Sequence, residues 1–206
     1  MVRSLYLVGY ILFNVFFRLL GFRVEELENV PKRGAVIIAP NHVSYWAPPL
    51  AGSALHRPLF YMAKKELFAK PVLAQVLKSV GAFEVARSRA DIGAFRKALD
   101  LLKNGNAILM FPEGARGRRS HMRHSRSGVG LVAAYSQAPV VPCFIYNSDR
   151  ISKFARPIVR FGKPVKFERG SSRSGGKFLK FGNEILDMIK EMDCEGMYTL
   201  GSFGKR

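Results

Sequence analysis

The sequence predicts an α/β layered fold, with a largely parallel or mixed sheet flanked by helices and one further helix at the N-terminus. Three observations carry this. Short runs rich in branched aliphatic residues recur at 35–39 (AVIIA), 107–111 (AILMF) and 140–146; runs of that length and character suit strands buried on both faces. Stretches with apolar residues at helical spacing lie between them, the alternation that goes with parallel pairing. The 206 residues, 48% of them hydrophobic, give one domain or one domain with a short appendage, and no second-domain linker or internal repeat is visible.

The elements follow in order. Residues 5–20 (LYLVGYILFNVFFRLL) form an apolar helix of about 16 residues, short of the ~20 needed to span a bilayer. Gly9, Asn14 and Arg18 interrupt it, and its many aromatics stand beside Arg3, Arg18 and Arg23. That mixture suits a helix lying in the membrane interface better than a span or a helix packed wholly on its own domain. No small-residue cleavage motif follows, so a removed signal peptide is not expected. The division is therefore residues 1–22 as interfacial helix and 23–206 as the main domain. Strands are expected at 35–39, 59–62, 82–85, 107–111 and 140–146, with short edge strands at 158–161 and 165–167. Pro48 suits the first turn of a helix. Further helices are expected at 66–79, at 90–103 where Asn104-Gly105 ends the pattern, at 129–136 and at 178–192. Residues 171–176 (SSRSGG) are expected as a loop, and 201–206 as a frayed end.

Charge narrows the function classes. Lys and Arg number 33 against 15 Asp and Glu, a formal net charge of +18. Such an excess points to an anionic partner, not to a fold. Cys143 and Cys194 are far apart in sequence and give neither a disulfide framework nor a metal cluster. The four histidines, His42, His56, His121 and His124, show no ligand spacing supported by Cys or carboxylates, so no metal is expected. No Gly-rich dinucleotide motif follows the first strand. A nucleic-acid-binding protein is the rival class for so basic a chain. No recognised RNA or DNA motif is present, however, and the aromatics concentrate in the apolar N-terminus.

Two segments carry chemistry. In PNHVSYWAPPL, residues 40–50, His42 stands just after a buried strand, and ligand sites in α/β sheets gather at strand carboxyl ends. In FPEGAR, residues 111–116, another buried strand ends and a turn begins, with Phe111 and Pro112 leading to Glu113, Gly114 and Arg116. Arg118, Arg119, Arg123 and Arg126 follow. Alone, His42 is better explained as a side chain bonding its own loop, and the second segment as a solvated basic loop.

Together they resemble the glycerolipid acyltransferases of the 1-acyl-glycerol-3-phosphate acyltransferase family. Further blocks fall in the family's order: Leu27-Glu28-Asn29-Val30-Pro31, Ala63-Lys64-Lys65-Glu66-Leu67, Gly81 to Arg87 (GAFEVAR), and Val140-Val141-Pro142. One departure matters. The family's first block is H-x-x-x-x-D, and position 47 carries Ala47 where the Asp belongs. If Pro48 opens a helix, position 47 is its N-cap, where Asp is favoured and Ala poor. Either an Asp has been replaced to inactivate the protein, or the natural chain lacks it; the intact remainder of the pattern favours replacement.

The resemblance implies the layered acyltransferase fold and transfer of a fatty acyl group from a thioester to the sn-2 hydroxyl of lysophosphatidate. His42 would be the general base, with the acid at 47 its orienting partner, so Ala47 implies an inactive or weakened protein. Arg87 and Arg116 would hold the acceptor's phosphate, with Lys64, Lys65 and Arg89 as secondary cations. Glu113 would hold a hydroxyl or orient Arg116, and Gly114 would lend backbone N–H groups to the oxyanion. Ser44 as a nucleophile is the lesser route. The implied partners are lysophosphatidate, acyl-CoA or acyl carrier protein as co-substrate, and a phospholipid membrane surface on the cytoplasmic face. No bound cofactor and no nucleic acid are implied. A different lysolipid or glycerol 3-phosphate as acceptor, or a non-catalytic lipid binder, are the alternatives.

Overall fold

Strand β2 (Val36–Pro40) lies at the centre of a seven-stranded sheet, between β5 (Ala107–Leu109) and β6 (Val140–Tyr146). The computed structural model describes residues 3–86, 91–117, 125–168 and 175–193. Beyond β5 come β3 (Leu59–Lys64) and then β4 (Ala82–Val85); beyond β6 come β7 (Ile158–Phe161) and then β1 (Arg23–Glu25). Every adjoining pair is parallel except β6–β7.

The central strands read as unbroken apolar runs because both their faces are covered. Ile38, Leu109 and Cys143 join one core with α1 (Arg3–Leu19) and α2 (Ala47–Ala54). Ile37, Ile108 and Phe144 join the other, with α4 (Ile92–Lys103), α5 (Gly128–Ser136) and α6 (Gly175–Glu191). Helix α5 can lie close on α6 because position 130 is glycine: a Cβ there would collide with the main chain of Phe178.

Helix α1 is two-sided. Phe17 is fully buried in the core, and Phe13, Phe16 and Phe17 all pack on the Trp46 ring. Leu7, Val8, Ile11, Leu12, Val15 and Leu19 are exposed. Among the described residues no helix is long and apolar enough to cross a membrane.

Several boundaries differ from the sequence expectation. The helix expected at 66–79 is a 3-10 turn, Lys65–Ala69, followed by α3 (Pro71–Ser79). Pro71 disfavours helical backbone at the residue before it, and Lys70 is accordingly extended at φ −93°, ψ 114°. Strand β1 was not expected; three residues are too short to show a period. The strand expected at 165–167 is reduced to one bridge, Val140 with Val165. Helix α6 starts at Gly175, inside the stretch expected as loop. Trp46, not position 47, is the N-cap of α2, and Ala47 is its first helical residue.

Candidate active site

The carboxyl ends of β2 and β5 are neighbours in the sheet, and this brings the two sequence segments together. Asn41 closes β2 like an additional rung of the sheet. Its side-chain amide donates to Ile145 O at 3.1 Å, and its carbonyl accepts from Ile145 N at 2.7 Å. Sequence reasoning gave Asn41 no role of its own, although a buried amide directly before a strand-end histidine is the visible signal.

His42 follows, and the loop after β5 grips its main chain from both sides. Its N–H donates to Glu113 Oε1 at 3.0 Å, and its carbonyl accepts from Gly117 N at 2.8 Å. The His42 ring stacks on Phe111, centroids 3.8 Å apart and planes 16° apart. His42 and Glu113 are both buried, and His42 Nδ1 is sealed from solvent. Glu113 is therefore a buried acceptor that sets the position of the histidine. The sequence expectation had it hold a hydroxyl or orient Arg116. Gly114 supports the tight turn at φ +67°, a conformation most side chains disfavour.

Arg116 reaches across to the first loop. Its Nη2 donates to Tyr45 Oη at 2.8 Å, and its guanidinium carbon lies 3.7 Å from the centroid of the Tyr45 ring. A guanidinium over a tyrosine face is attracted by the ring quadrupole. Both residues are exposed, so the cation stays available at the surface. Tyr45 carried no sequence signal.

The Ser44 hydroxyl is committed to its loop: it donates to Ser148 O at 2.7 Å and accepts from Trp46 N at 3.0 Å. Ala47 is fully buried at the start of α2 and offers no side-chain acceptor. Lys64 ends β3 and pairs with Glu66 at 3.0 Å, both side chains well exposed. Lys65 is exposed in the 3-10 turn that follows. Burial pushes the Cys143 thiol up, which leaves it protonated and unreactive.

Arg87, Arg89, His121 and His124 lie outside the described residues. Asp91, the N-cap of α4, accepts from Ala86 N at 2.7 Å and Ala94 N at 2.9 Å. These backbone bonds hold the Asp91 carboxyl below its usual range, with nearby Lys65 adding a smaller pull.

A cavity of about 370 Å3 begins at His42, Phe111 and Arg116. It runs between α1, α2 and α3 along β3, and its walls are chiefly apolar: Phe13, Pro48, Tyr61, Met62, Leu77 and Val80 among others. Gly52 keeps one wall thin, since a Cβ there would collide with the Tyr61 hydroxyl. The arrangement is a positioned histidine and an exposed arginine at the mouth of a space suited to an alkyl chain.

A histidine at the end of a central parallel strand, held by a glutamate loop beside an apolar cavity, defines the class. The chain belongs to the Acyltransferase family, whose model matches residues 21–146. A 1-acyl-sn-glycerol-3-phosphate acyltransferase of Bacillus subtilis (strain 168) is 33% identical over 124 residues, 59% of this chain and 61% of that protein. A protein of the same name from Streptococcus pneumoniae is 26% identical over 170 residues, 81% of this chain and 56% of that one. The crystal structure of the 1-acyl-sn-glycerophosphate (LPA) acyltransferase PlsC from Thermotoga maritima shares the fold, with a TM-score of 0.71 at 21% identity, covering 96% of this chain and 81% of that one. The chain spans 61%, 56% and 51% of the first three curated relatives it matches.

Proposed function

We propose that this protein transfers a fatty acyl group from an acyl thioester, carried by CoA or acyl carrier protein, to the sn-2 hydroxyl of 1-acyl-glycerol-3-phosphate, giving phosphatidate. The observation that carries the reading is His42, fixed by Glu113 and Phe111 at the mouth of an apolar cavity.

With Nδ1 sealed, Nε2 would be the ring nitrogen that acts on a substrate. It would take the proton of the sn-2 hydroxyl as that oxygen attacks the thioester carbon. The resulting oxyanion collapses, the carbon–sulfur bond breaks, and the thiolate leaves, taking up the proton from the imidazolium. General base catalysis of this kind contributes typically ~10²–10⁴-fold. Arg116 would hold acceptor phosphate, where its planar fork suits the oxygens. The acyl chain would lie in the cavity beside α1. Direct transfer is favoured because the Ser44 hydroxyl is engaged at both its donor and acceptor sides.

The outer face of α1 supports work at a membrane surface, which we place on the cytoplasmic side. Leu and Val side chains of α1 and Val72 and Val76 of α3 are exposed, and the net charge of +18 suits anionic lipid. A second reading, a lipid binder without catalysis, is favoured by one observation: Ala47, where an orienting acid would stand.

The test is formation of phosphatidate from lysophosphatidate with each thioester donor, by the protein as it is and by its Ala47→Asp variant. His42→Ala in the Ala47→Asp background should abolish transfer with the fold intact. Activity near the parent level in that variant would remove His42 from the mechanism. Binding of lysophosphatidate without turnover in any variant would support the non-catalytic reading.

A further inference from the structure

A second cavity, about 400 Å3, lies on the α4–α5 side of the sheet. Its walls include Phe111 and Met62, which also line the first cavity. Because the Phe111 ring stacks on His42, both cavities approach the same histidine, separated by one aromatic ring. The lining is largely apolar, and its charged members among the described residues are Asp91 and Arg126. Asp91 is occupied as the cap of α4. Arg126 is exposed, and its guanidinium has no hydrogen-bond or ion-pair partner among the described residues.

Arg126 is nevertheless held in place. Its N–H donates to Pro112 O at 2.8 Å, which fastens it to the same turn that grips His42. The preceding residue, Ser125, is buried and donates its N–H to Asn183 Oδ1 of α6 at 3.1 Å. The Arg126 stem crosses the face of Gly114, where a Cβ would stand 2.6 Å from Arg126 Cδ. The glycine of the FPEG turn thus makes room for an arginine that lies beyond the recognised blocks. A cation with a fixed stem and no counter-ion among the described residues, beside a largely apolar cavity, is a prepared anion site. Arginine's fork matches phosphate oxygens, and such charge-assisted bonds are the strong ones.

We propose that Arg126 holds a substrate phosphate at the second cavity, either the glycerol phosphate headgroup or the phosphates of the thioester carrier. The α1-side cavity then takes the acyl chain and the α4–α5 side a phosphate-bearing portion, meeting at Phe111 and His42: if that portion is the headgroup, Arg126 replaces Arg116 as its holder, and if it is the thioester carrier, Arg116 keeps the headgroup. This rests on the acyl-transfer reading above and adds a residue and a second compartment to it.

The experiment is calorimetric binding to the full chain of two ligand pairs: lysophosphatidate against the matching 1-monoacylglycerol, and CoA against pantetheine. Arg126→Gln keeps the methylene stem over Gly114 and removes the charge; Arg126→Lys keeps a charge; Arg126→Met is a second charge-free variant of similar length. Folding is checked by circular dichroism. The parent should prefer the phosphate-bearing member of at least one pair, Arg126→Gln should lose roughly tenfold to a hundredfold of that preference, and Arg126→Lys should keep part of it. Loss in the lysophosphatidate pair assigns the headgroup; loss in the CoA pair assigns the donor. A preference unchanged in the charge-free variants overturns the role of Arg126 and leaves the acyl-transfer reading standing. Equal weakening of phosphate-bearing and phosphate-free ligands also overturns it. A parent with no phosphate preference in either pair overturns both readings.

Discussion

The main-chain N–H of His42 donates to the carboxylate of Glu113 at 3.0 Å, joining two residues 71 positions apart in the chain. The bond is buried, so its loss cannot be made good by water. Glu113→Ala should leave the His42 N–H without this acceptor and destabilise the fold by ~1–3 kcal/mol. Glu113→Gln retains an oxygen at the same place and should cost less. Urea unfolding of the two variants checks the order. In the Ala47→Asp background, acyl transfer should fall further in Glu113→Ala than in Glu113→Gln, because the histidine is less firmly placed. Equal stability of Glu113→Ala and the parent would show that another group has taken over the N–H.

The cavity beside α1 leads to a prediction about chain length. Gly52 and Tyr61 face each other across its wall, and a methyl at 52 would collide with the Tyr61 hydroxyl. Gly52→Ala should narrow the cavity and shift preference toward shorter acyl groups. Each methylene denied burial costs ~0.8 kcal/mol, about fourfold in kcat/KM. Adding Tyr61→Phe, which removes the obstructing hydroxyl, should restore part of the longer-chain activity. A chain-length profile unmoved by either change would place the acyl group elsewhere.

The two sides of α1 can be separated by experiment. Leu12 and Leu19 are 64% and 82% exposed, whereas Phe17 is fully buried against Trp46. Leu12→Ser with Leu19→Ser should weaken binding to anionic vesicles, since each lost leucine forfeits ~1.5–3 kcal/mol of burial, and leave the melting temperature nearly unchanged. Phe17→Ala should instead destabilise the fold by ~3–5 kcal/mol. Vesicle sedimentation and thermal melting together decide; unchanged sedimentation of the double variant would argue against a membrane role for this face. Deleting the helix outright is the poorer test, because it also removes Phe17 from the core.

The sheet order was not legible in the sequence, but most of its strands were. Runs such as AVIIA declare themselves because burial on both faces leaves no polar position to blur them. β1 did not, since three residues pairing with an edge strand need no pattern. The His42 and Glu113 segments were each visible, yet their bond depends on β2 and β5 being neighbours, a tertiary fact. Arg126 has no mark in the sequence beyond its place in a basic loop. Its distinction lies in the contact with Gly114 and the anchor on Pro112, neither of which a spacing reveals. The break at Pro71 was readable from local sterics and outweighs the helical spacing around it.

Asp91 should make stability depend on pH. Backbone bonds from Ala86, Ala94 and Gly93, which go with its N-cap role, hold its carboxyl below the usual range. A carboxylate whose folded value is depressed contributes stability that is fully present above the unfolded value of about 3.9 and is lost as pH falls through the folded value. Asp91→Ala should therefore be less stable than the parent at neutral pH, and the gap should close at strongly acid pH. A stability gap that is constant with pH would mean the carboxylate form is not what matters.

Position 47 sets the largest expected effect. Ala47 is fully buried at the first turn of α2, in the core shared with Leu50 and Ile38. A carboxylate placed there is out of water and costs stability unless it meets a cation or a hydrogen-bond donor. The nearest justification for an acid at this spacing is the imidazole of His42, whose Nδ1 is likewise sealed. Orienting a catalytic histidine and stabilising its imidazolium can be worth ~10⁴-fold in rate. Ala47→Asp should accordingly raise acyl transfer by a large factor, and the gain should shrink once acid pH protonates the imidazole. Ala47→Asn has the same shape without the charge and should recover far less. If Asp and Asn are equally inactive in folded protein given either thioester, the orienting role is wrong and the lipid-binding reading gains. If the protein with Ala47 already matches the Asp variant, His42 is oriented by a different group, and Glu113, which already fixes its main chain, is the first place to look.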